Sequence, residues 1–322
     1  MNTSLARGVP SMAGPRVGRP DRPTSVSRQS SRNGERIAML GLRAAALLSI
    51  AVTVGIVIAL LGPALEFFRQ VPVLDFLSGT RWAPRFSNPT YGVLPLVTGT
   101  AWTTAIALLL AIPFGLGAAV YLSEYAPTRV RKVLKPVLEL LAGVPSVVYG
   151  YFALTFIAPD VLKGLLGIQV GTFSVLAAGI ALGIMIIPTV ASLSEDAMNA
   201  VPMALRQGSY ALGANKMRTT LRVVFPAAAS GIAASVVLGL SRAVGETMIV
   251  ALAAGTQARM VTGPTQVGQT MTGFIAQTAT GESTPGTIAF DSLYAVGLLL
   301  FVLTLIANII SIRLVRRFRE AY

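Results

Sequence analysis

Six long apolar stretches constrain this chain more than any other feature of its sequence. They lie at about residues 37–61, 96–122, 133–157, 172–193, 227–254 and 293–315. Each is close to the ~20 residues that an α-helix needs to cross the hydrocarbon core of a bilayer. The whole chain is 53% hydrophobic and only 12% charged, with a mean hydropathy of +0.69. The sequence therefore predicts an all-α membrane protein with six spans.

The residue types that the chain lacks exclude several kinds of site. There is no cysteine and no histidine, so disulfides, thiolate metal sites and the commonest general base are excluded. There is also no Gly-Lys pair, and hence no phosphate-binding loop of the G-x4-G-K-[S/T] type. An intramembrane enzyme would need a nucleophile with a base or a metal cluster, but the predicted spans contain only Glu139 and Glu246 as acids. We therefore predict no cofactor, no metal and no enzymatic activity in this chain.

The positive charges are distributed unevenly along the chain. Of 26 Lys and Arg residues, 20 fall on one side of the predicted spans and five on the other, with Arg242 inside a span. Because Lys and Arg favour cytoplasmic loops, both termini and the loop 194–226 are predicted to be cytoplasmic. The net charge of +13 then reflects membrane topology, and we expect no nucleic-acid partner. Residues 1–36 hold seven arginines among Pro, Gly and Ser, which predicts a disordered basic tail that sets topology or contacts anionic lipid.

Residues 202–226 predict a compact helix-turn-helix, which we call the knob. Pro202 can open a helix, the residues after it are mostly good helix formers, and Gly213 suits a left-handed C-terminal cap. A second short helix is predicted at about residues 216–224, ending at Pro226. A partner's groove could bind such a unit as one body. The alternative is an ordinary solvated loop between two spans.

Arg242 and Glu246 are charged residues inside the predicted fifth span. Their separation of four residues would place them side by side on one helix face. An Arg near the bilayer centre costs about 2.5 to 3.5 kcal/mol, which calls for a partner, an aqueous cavity or a bound ligand. Its planar donors suit a tetrahedral oxyanion, with Glu246 competing for the guanidinium. The alternative is an ion pair that only fixes helix packing.

Three further stretches leave alternatives open. The segment 62–95 is rich in aromatic residues and is predicted to rest at the membrane interface or to touch an outside partner. The segment 255–292 predicts a short amphipathic helix at about residues 267–279, either for docking a binding protein or for interfacial packing. Threonines at the head of the second span could line a hydrated path or could bond their own backbone. These are Thr98, Thr100, Thr103 and Thr104.

The spacing of the knob resembles a known loop. Gln207, Gly208 and Ser209 are followed after three residues by Gly213 and after nine more by "VVFP". This is similar to the E-A-A, x3, G, x9, I-x-L-P loop of ABC importer permeases. Together with "GVPSVVYG", "IIPTVASLSEDAM" and "RAVGETMIV", it resembles the phosphate-specific ABC transporter permease family of the PstC type over nearly the whole chain beyond residue 36.

The resemblance implies a fold, a function and a set of partners. The fold would be a six-helix type I ABC importer permease (MetI-like) formed by residues 37–322, with the knob as its cytoplasmic coupling helix. The function would be the permease of an ATP-driven inorganic phosphate importer in a prokaryotic plasma membrane. The partners would be a second permease subunit (PstA-like), two ATP-binding subunits (PstB-like), an extracytoplasmic phosphate-binding protein (PstS-like), membrane lipid and inorganic phosphate.

Two groups of candidate site residues follow. From their charges and spacing, Arg242 and Glu246 are predicted to line the substrate pathway. The resemblance implies the second group. Coupling to the ATPase would fall to one run of the knob: Leu205, Arg206, Gln207, Gly208, Ser209, Tyr210 and Gly213. Two alternatives remain, namely a permease for another anion such as sulfate or molybdate or for an organic solute, and a membrane assembly or sensor subunit that moves nothing.

Overall fold

The computed structural model describes residues 32–282 and 284–317, and it is almost entirely helical. The predicted tail over residues 1–31 lies outside the described residues. The long helices are α1 (Arg32–Gln70), α3 (Leu94–Val120), α4 (Thr128–Ala142), α6 (Val175–Asn199), α10 (Ala229–Gly245) and α13 (Ile288–Arg317). The short helices are α2 (Val73–Ser78), α5 (Ser146–Phe152), α7 (Met203–Ala211), α8 (Lys216–Thr219), α9 (Phe225–Ala227), α11 (Met248–Ala253) and α12 (Met271–Gln277).

Wider π-helical turns extend several helices, and one small hairpin interrupts them. The π-helical turns are Tyr121–Tyr125, Ala153–Leu165, Thr220–Val224 and Thr278–Glu282. The hairpin pairs β1 (Trp82–Ala83) with β2 (Thr90–Tyr91) in antiparallel register. The chain divides into two compact units, Met1–Val54 and Gly55–Tyr322. The first contains the described start of α1, and the second contains the rest of α1 and the other helices.

The helices match the six predicted spans in number and order if each bent pair counts once. Within the described residues, four helices are long and apolar enough to cross a bilayer: Gly34–Gln70, Leu94–Tyr125, Val175–Asn199 and Ile288–Arg313. Two more candidates are bent pairs, Thr128–Ala142 with Ser146–Leu165 at 88° and Lys216–Ala227 with Ala229–Gly245 at 70°. The first helix begins at Arg32, so the predicted boundary between tail and span at residue 36 is wrong by a few residues.

The predicted third and fifth spans are broken rather than continuous. At the third, the helix ends at Ala142 and resumes after Pro145, because proline lacks an N–H and disfavours helix at the residue before it. The candidate span is therefore the bent pair Thr128–Ala142 with Ser146–Leu165, and the predicted stretch 133–157 covers parts of both helices. At the fifth, α10 ends at Gly245, and Glu246 has an extended backbone with φ −66° and ψ 131°.

Helix α6 forms the centre of the bundle and lies directly against α3. Ala181, Leu182 and Ile186 have no exposed surface. Gly183 faces α3 so closely that a Cβ there would lie 2.9 Å from the carbonyl oxygen of Ala107. Such backbone-to-backbone approach is typical of membrane helices that meet through small residues. Helices α3 and α6 therefore form one tightly packed pair.

The aromatic residues of the segment 62–95 form a buried cluster. Phe67, Phe76 and Trp82 are 0%, 1% and 5% exposed. Their rings meet edge to face with each other, with Tyr91 and with Phe274 of α12, at centroid distances of 4.9 to 6.2 Å. The prediction of a piece resting on the interface is therefore wrong for these residues. The predicted short helix at about 267–279 is confirmed as α12, and it helps to close the cluster.

Candidate functional site

The knob has the predicted helix-turn-helix structure. Helix α7 follows Pro202, and Gly213 adopts the predicted left-handed conformation with φ 81°. Asn215 then caps α8 by accepting a 2.8 Å hydrogen bond from the backbone N–H of Arg218. The hydroxyls of Ser209 and Thr219 are 2.8 Å apart and join the two short helices. These bonds hold the two helices of the knob together as a unit.

The outer surface of the knob is unusually apolar for an exposed loop. Met203 is 63% exposed, Tyr210 43% and Leu212 90%. Gln207 and Gly208 lie exposed among them, and a Cβ on Gly208 would meet no described atom within 4 Å apart from its chain neighbours and the backbone of its own helix. Leu205 and Ser209 are only half-buried. Large apolar side chains exposed together are typical of surfaces where another protein binds.

Arg206 does not belong to this surface, in contrast to its predicted role in contacting the ATPase. Its side chain is 10% exposed and points back into the protein. Nη2 donates to Glu124 Oε1 at 2.9 Å and to the carbonyl oxygen of Met198 at 2.8 Å, while Nη1 donates to the carbonyl oxygen of Val201. The guanidinium is therefore an internal anchor of the knob.

A second ion cluster, which the sequence reasoning missed, ties α4 to the end of α6. Glu195 is fully buried and accepts a 2.8 Å hydrogen bond from Arg131 Nε, and Lys135 Nζ lies 3.3 Å from its other oxygen. Lys135 also lies 2.8 Å from Asp196. A signal existed in the sequence, because Arg131 and Lys135 are four residues apart on one helix face and can therefore share one acidic partner. Glu139, the acid that the sequence reasoning noted instead, is exposed on α4.

Arg242 lies half-buried on α10 and faces α6. Its Nη1 donates to Thr189 Oγ1 at 3.1 Å. Among the residues that the structure describes, no carboxylate lies within ion-pair distance of Arg242. A guanidinium with one neutral partner retains donors for an anion.

Glu246 does not pair with Arg242, contrary to the sequence prediction. The reason is that α10 ends at Gly245, so the two residues do not share a helix face. Instead Glu246 Oε1 accepts hydrogen bonds from the backbone N–H groups of Met248 and Ile249, at 3.1 and 3.4 Å. Its carbonyl oxygen accepts a 2.7 Å bond from Thr272 of α12. Glu246 therefore stabilises the break in the fifth span.

The structure brings together two motifs that are distant in the sequence, "GVPSVVYG" and "RAVGETMIV". A Cβ on Gly150 would lie 3.2 Å from Ile249 Cα and 2.9 Å from Leu252 Cδ1, so only glycine fits this approach of α5 to α11 without displacement. One residue earlier, Tyr149 donates to the carbonyl oxygen of Leu141 at 2.9 Å. Helices α5 and α11, which follow the breaks in the third and fifth spans, thus pack directly against each other.

Most of the threonines at the head of the second span bond their own backbone. Thr98, Thr100 and Thr103 donate to carbonyl oxygens three or four residues earlier, at 2.9 to 3.0 Å. Thr104 differs, because its buried hydroxyl has no hydrogen-bond partner in the described part of the chain. Thr100 and Thr104 line a largely apolar cavity of about 370 Å³ between α3, α10 and α13. The interpretation in which these threonines serve the backbone is therefore supported for three of the four.

Comparison with known proteins gives consistent results. Residues 111–320 match the family described as "Binding-protein-dependent transport system inner membrane component". The chain is 38% identical over 281 residues to the "Probable ABC transporter permease protein YqgH" of Bacillus subtilis, covering 86% of this chain and 90% of that protein. It is 36% identical over 279 residues to the "Phosphate transport system permease protein PstC 1" of Mycobacterium tuberculosis, covering 76% of this chain and 82% of that protein.

Solved structures with a similar fold are more distant in sequence. One chain of the MetNI methionine ABC transporter aligns with a TM-score of 0.54 and 20% identity, covering 70% of this chain and 96% of that chain. A bacterial alginate ABC transporter in complex with its oligosaccharide-bound periplasmic protein aligns with a TM-score of 0.57 and 14% identity, covering 87% and 96%. These alignments support the fold alone.

Proposed function

The chain belongs to the family of binding-protein-dependent transport system inner membrane components, and from this premise we propose that it is the permease subunit of an ATP-driven importer of inorganic phosphate. The predicted fold class, an all-α membrane permease of the MetI-like ABC importer type, is confirmed. The chain is a multi-pass membrane protein, and ATP hydrolysis is performed by separate subunits. The observation that supports phosphate as the cargo is the 36% identity of this chain to a relative named as a phosphate permease.

The structure supports an anionic cargo in particular. Arg242 is a half-buried cation on a helix of the spanning bundle with only Thr189 as a hydrogen-bond partner among the described residues, so its remaining donors are available to phosphate oxygens. Glu246 acts beside it by holding the break in the fifth span through the amides of Met248 and Ile249. A permease for sulfate or for an organic solute remains the alternative, because the Bacillus relative's name specifies no cargo.

The partners follow from the family and from the two ends of the molecule. Permeases of this family work with ATPase subunits and a substrate-binding protein. We propose that the knob faces the cytoplasm, where the excess of Lys and Arg lies, and that its apolar surface docks on an ATP-binding subunit. A second permease subunit, a second ATP-binding subunit and an extracytoplasmic phosphate-binding protein complete the proposed complex.

Uptake by the reconstituted complex tests this function. The complex is placed in proteoliposomes with internal ATP, and entry of radiolabelled phosphate is measured against sulfate and against vesicles without ATP. We expect ATP-dependent entry of phosphate well above that of sulfate. Equal entry of both anions would favour the alternative cargo, and no entry of any solute would favour an assembly or sensor subunit.

The exposed tip of the knob provides a sharper test of docking. Leu212 is 90% exposed, so Leu212→Asp leaves the fold of this chain intact but puts a charge into an apolar contact. We expect binding of the ATP-binding subunit to weaken by about tenfold or more, since a central apolar contact is typically worth over 1 kcal/mol. Pull-down of the ATP-binding subunit by the purified permease measures this. Leu74→Asp, at an exposed apolar residue of α2 outside the knob and outside the candidate spans, is the matched control, and equal binding by both variants would place the docking surface elsewhere.

A further inference from the structure

Arg206 connects the knob to two spans at once. It lies on α7 within the knob, yet its guanidinium is bonded to the carbonyl oxygens of Met198 and Val201, at and just beyond the end of α6. The same group pairs with Glu124 in the π-helical turn that follows α3. The two side chains are 10% and 6% exposed, so this is a buried ion pair. A planar guanidinium is suited to joining several segments because its N–H donors point in several fixed directions.

The two spans that Arg206 holds move together for a structural reason. A Cβ at Gly115 of α3 would lie 2.9 Å from the side chain of Val190 on α6. A Cβ at Gly179 of α6 would lie 3.1 Å from the carbonyl oxygen of Thr103 on α3. Closely packed backbones of this kind cannot slide or separate without losing many contacts. A displacement applied at Glu124 and at the end of α6 is therefore shared by the whole pair.

The packed pair of helices α3 and α6 contacts Arg242, the charged residue of the proposed pathway, through Thr189. Thr189 lies on α6 nine residues before Met198, or roughly 14 Å along the helix axis. Its hydroxyl accepts the hydrogen bond of Arg242. The chain of contacts thus runs from α7 through Arg206 to α6, and from α6 through Thr189 to α10.

We propose that the buried Arg206–Glu124 pair is the joint that transmits movement of the knob to α3 and α6, and so to Arg242. This inference rests on the proposed function, because it is the ATPase that would move the knob. Arg206 is in this view a positioning residue that touches neither nucleotide nor cargo. It makes the knob and the α3–α6 pair one rigid body.

The first test measures the phosphate imported per ATP hydrolysed by fully assembled complexes in proteoliposomes. Arg206→Lys keeps the positive charge but loses the planar set of guanidinium donors. Glu124→Gln keeps a hydrogen-bond acceptor but loses the negative charge. We expect each to lower the ratio about five- to tenfold, the usual size of a coupling between sites. Since both act through one joint, the double variant should be no worse than the worse single variant. Lys132→Ala, at an exposed residue of α4, is the control and should keep the ratio of the unaltered complex.

Two outcomes of this test would contradict the proposal that the Arg206–Glu124 pair is the joint. One is an unchanged ratio in both single variants, and the other is a double variant whose loss is the product of the two single losses. If Arg206→Lys does not assemble, Glu124→Gln decides alone, because it changes almost no side-chain volume.

The second test needs no cargo, so it separates failure of the joint from failure of the proposed function. The chain has no cysteine, so Arg222→Cys in the knob and Leu109→Cys on α3, both exposed, provide a unique pair of spin-label sites. We expect one narrow distance distribution with and without ATP, and a clearly broader one when Arg206→Lys is added. A distance that changes with ATP in the unaltered background, or that Arg206→Lys leaves narrow, would refute the joint even in a complex that imports something other than phosphate.

Discussion

Phosphate uptake falls about 100-fold in Arg242→Ala, because the loss of a partly desolvated guanidinium removes about 3 kcal/mol of charge-assisted binding to the anion. Thr189, the only hydrogen-bond partner of Arg242 within the described chain, is neutral, so the substitution leaves no buried charge unpaired. We therefore expect the variant to insert and to assemble with its partners at nearly normal levels. Initial rates of radiolabelled phosphate entry, normalised to assembled complex, measure the effect.

Two companion variants separate charge from geometry at this position. Arg242→Lys keeps the charge but not the planar donors and should retain an intermediate rate. Glu246→Gln keeps the oxygen that accepts the bonds of Met248 and Ile249, so its rate should stay within about threefold. The sequence alone would predict a large loss for this variant, because it places Glu246 beside Arg242. Normal uptake by Arg242→Ala would remove the residue from the pathway.

Removal of the Glu195 carboxylate is expected to destabilise the protein. Glu195 is fully buried, and Glu195→Ala removes the carboxylate that Arg131 and Lys135 share, although both cations are about a third exposed and Lys135 keeps Asp196 at 2.8 Å. The loss of hydrogen bonds to a charged group costs about 1.5 to 3 kcal/mol. For a domain of this size that corresponds to a fall of about 3 to 10 °C in Tm. Thermal denaturation of the detergent-solubilised protein measures it.

A matched acid on α4 provides the control. Glu139 is exposed, so Glu139→Ala should change the free energy of unfolding by no more than about 0.5 kcal/mol. Glu195→Gln should fall between the two, because the amide oxygen can still accept from Arg131. If the Glu195→Ala and Glu139→Ala variants have the same Tm, the ion cluster between α4 and α6 contributes nothing measurable to stability.

Local patterns were sufficient for the parts of the fold that local physics controls. Hydropathy located the six apolar segments, and the cap formed by Gly213 located the turn of the knob at the residue where φ is positive. Both depend only on neighbours in the chain, since lipid selects length and apolarity while a left-handed cap selects glycine. The same reasoning failed at the third and fifth spans, where hydropathy continues through a break in the helix.

Side-chain partners across the bundle were beyond such patterns. Arg206 lies in a segment whose sequence is typical of a surface loop. Its side chain is nevertheless buried and pairs with Glu124, which lies 82 residues earlier. Glu195 pairs with Lys135, which the sequence assigned to the third span, and with Arg131, which precedes that span; they lie 60 and 64 residues earlier in the chain. Periodicity reports which residues share a face, but it does not report what that face meets.

The sequence by itself determined that this chain lies in a bilayer, how many apolar segments it has, and where the turn of the knob lies, because these follow from transfer free energies and backbone preferences summed over neighbouring residues. Only the tertiary structure decided that Arg242 has no carboxylate partner among the described residues, that Glu246 holds a helix break, and that Arg206 is an internal anchor. The physical reason is that the pairing of a charge depends on distances between segments remote in the chain, and packing alone sets those distances.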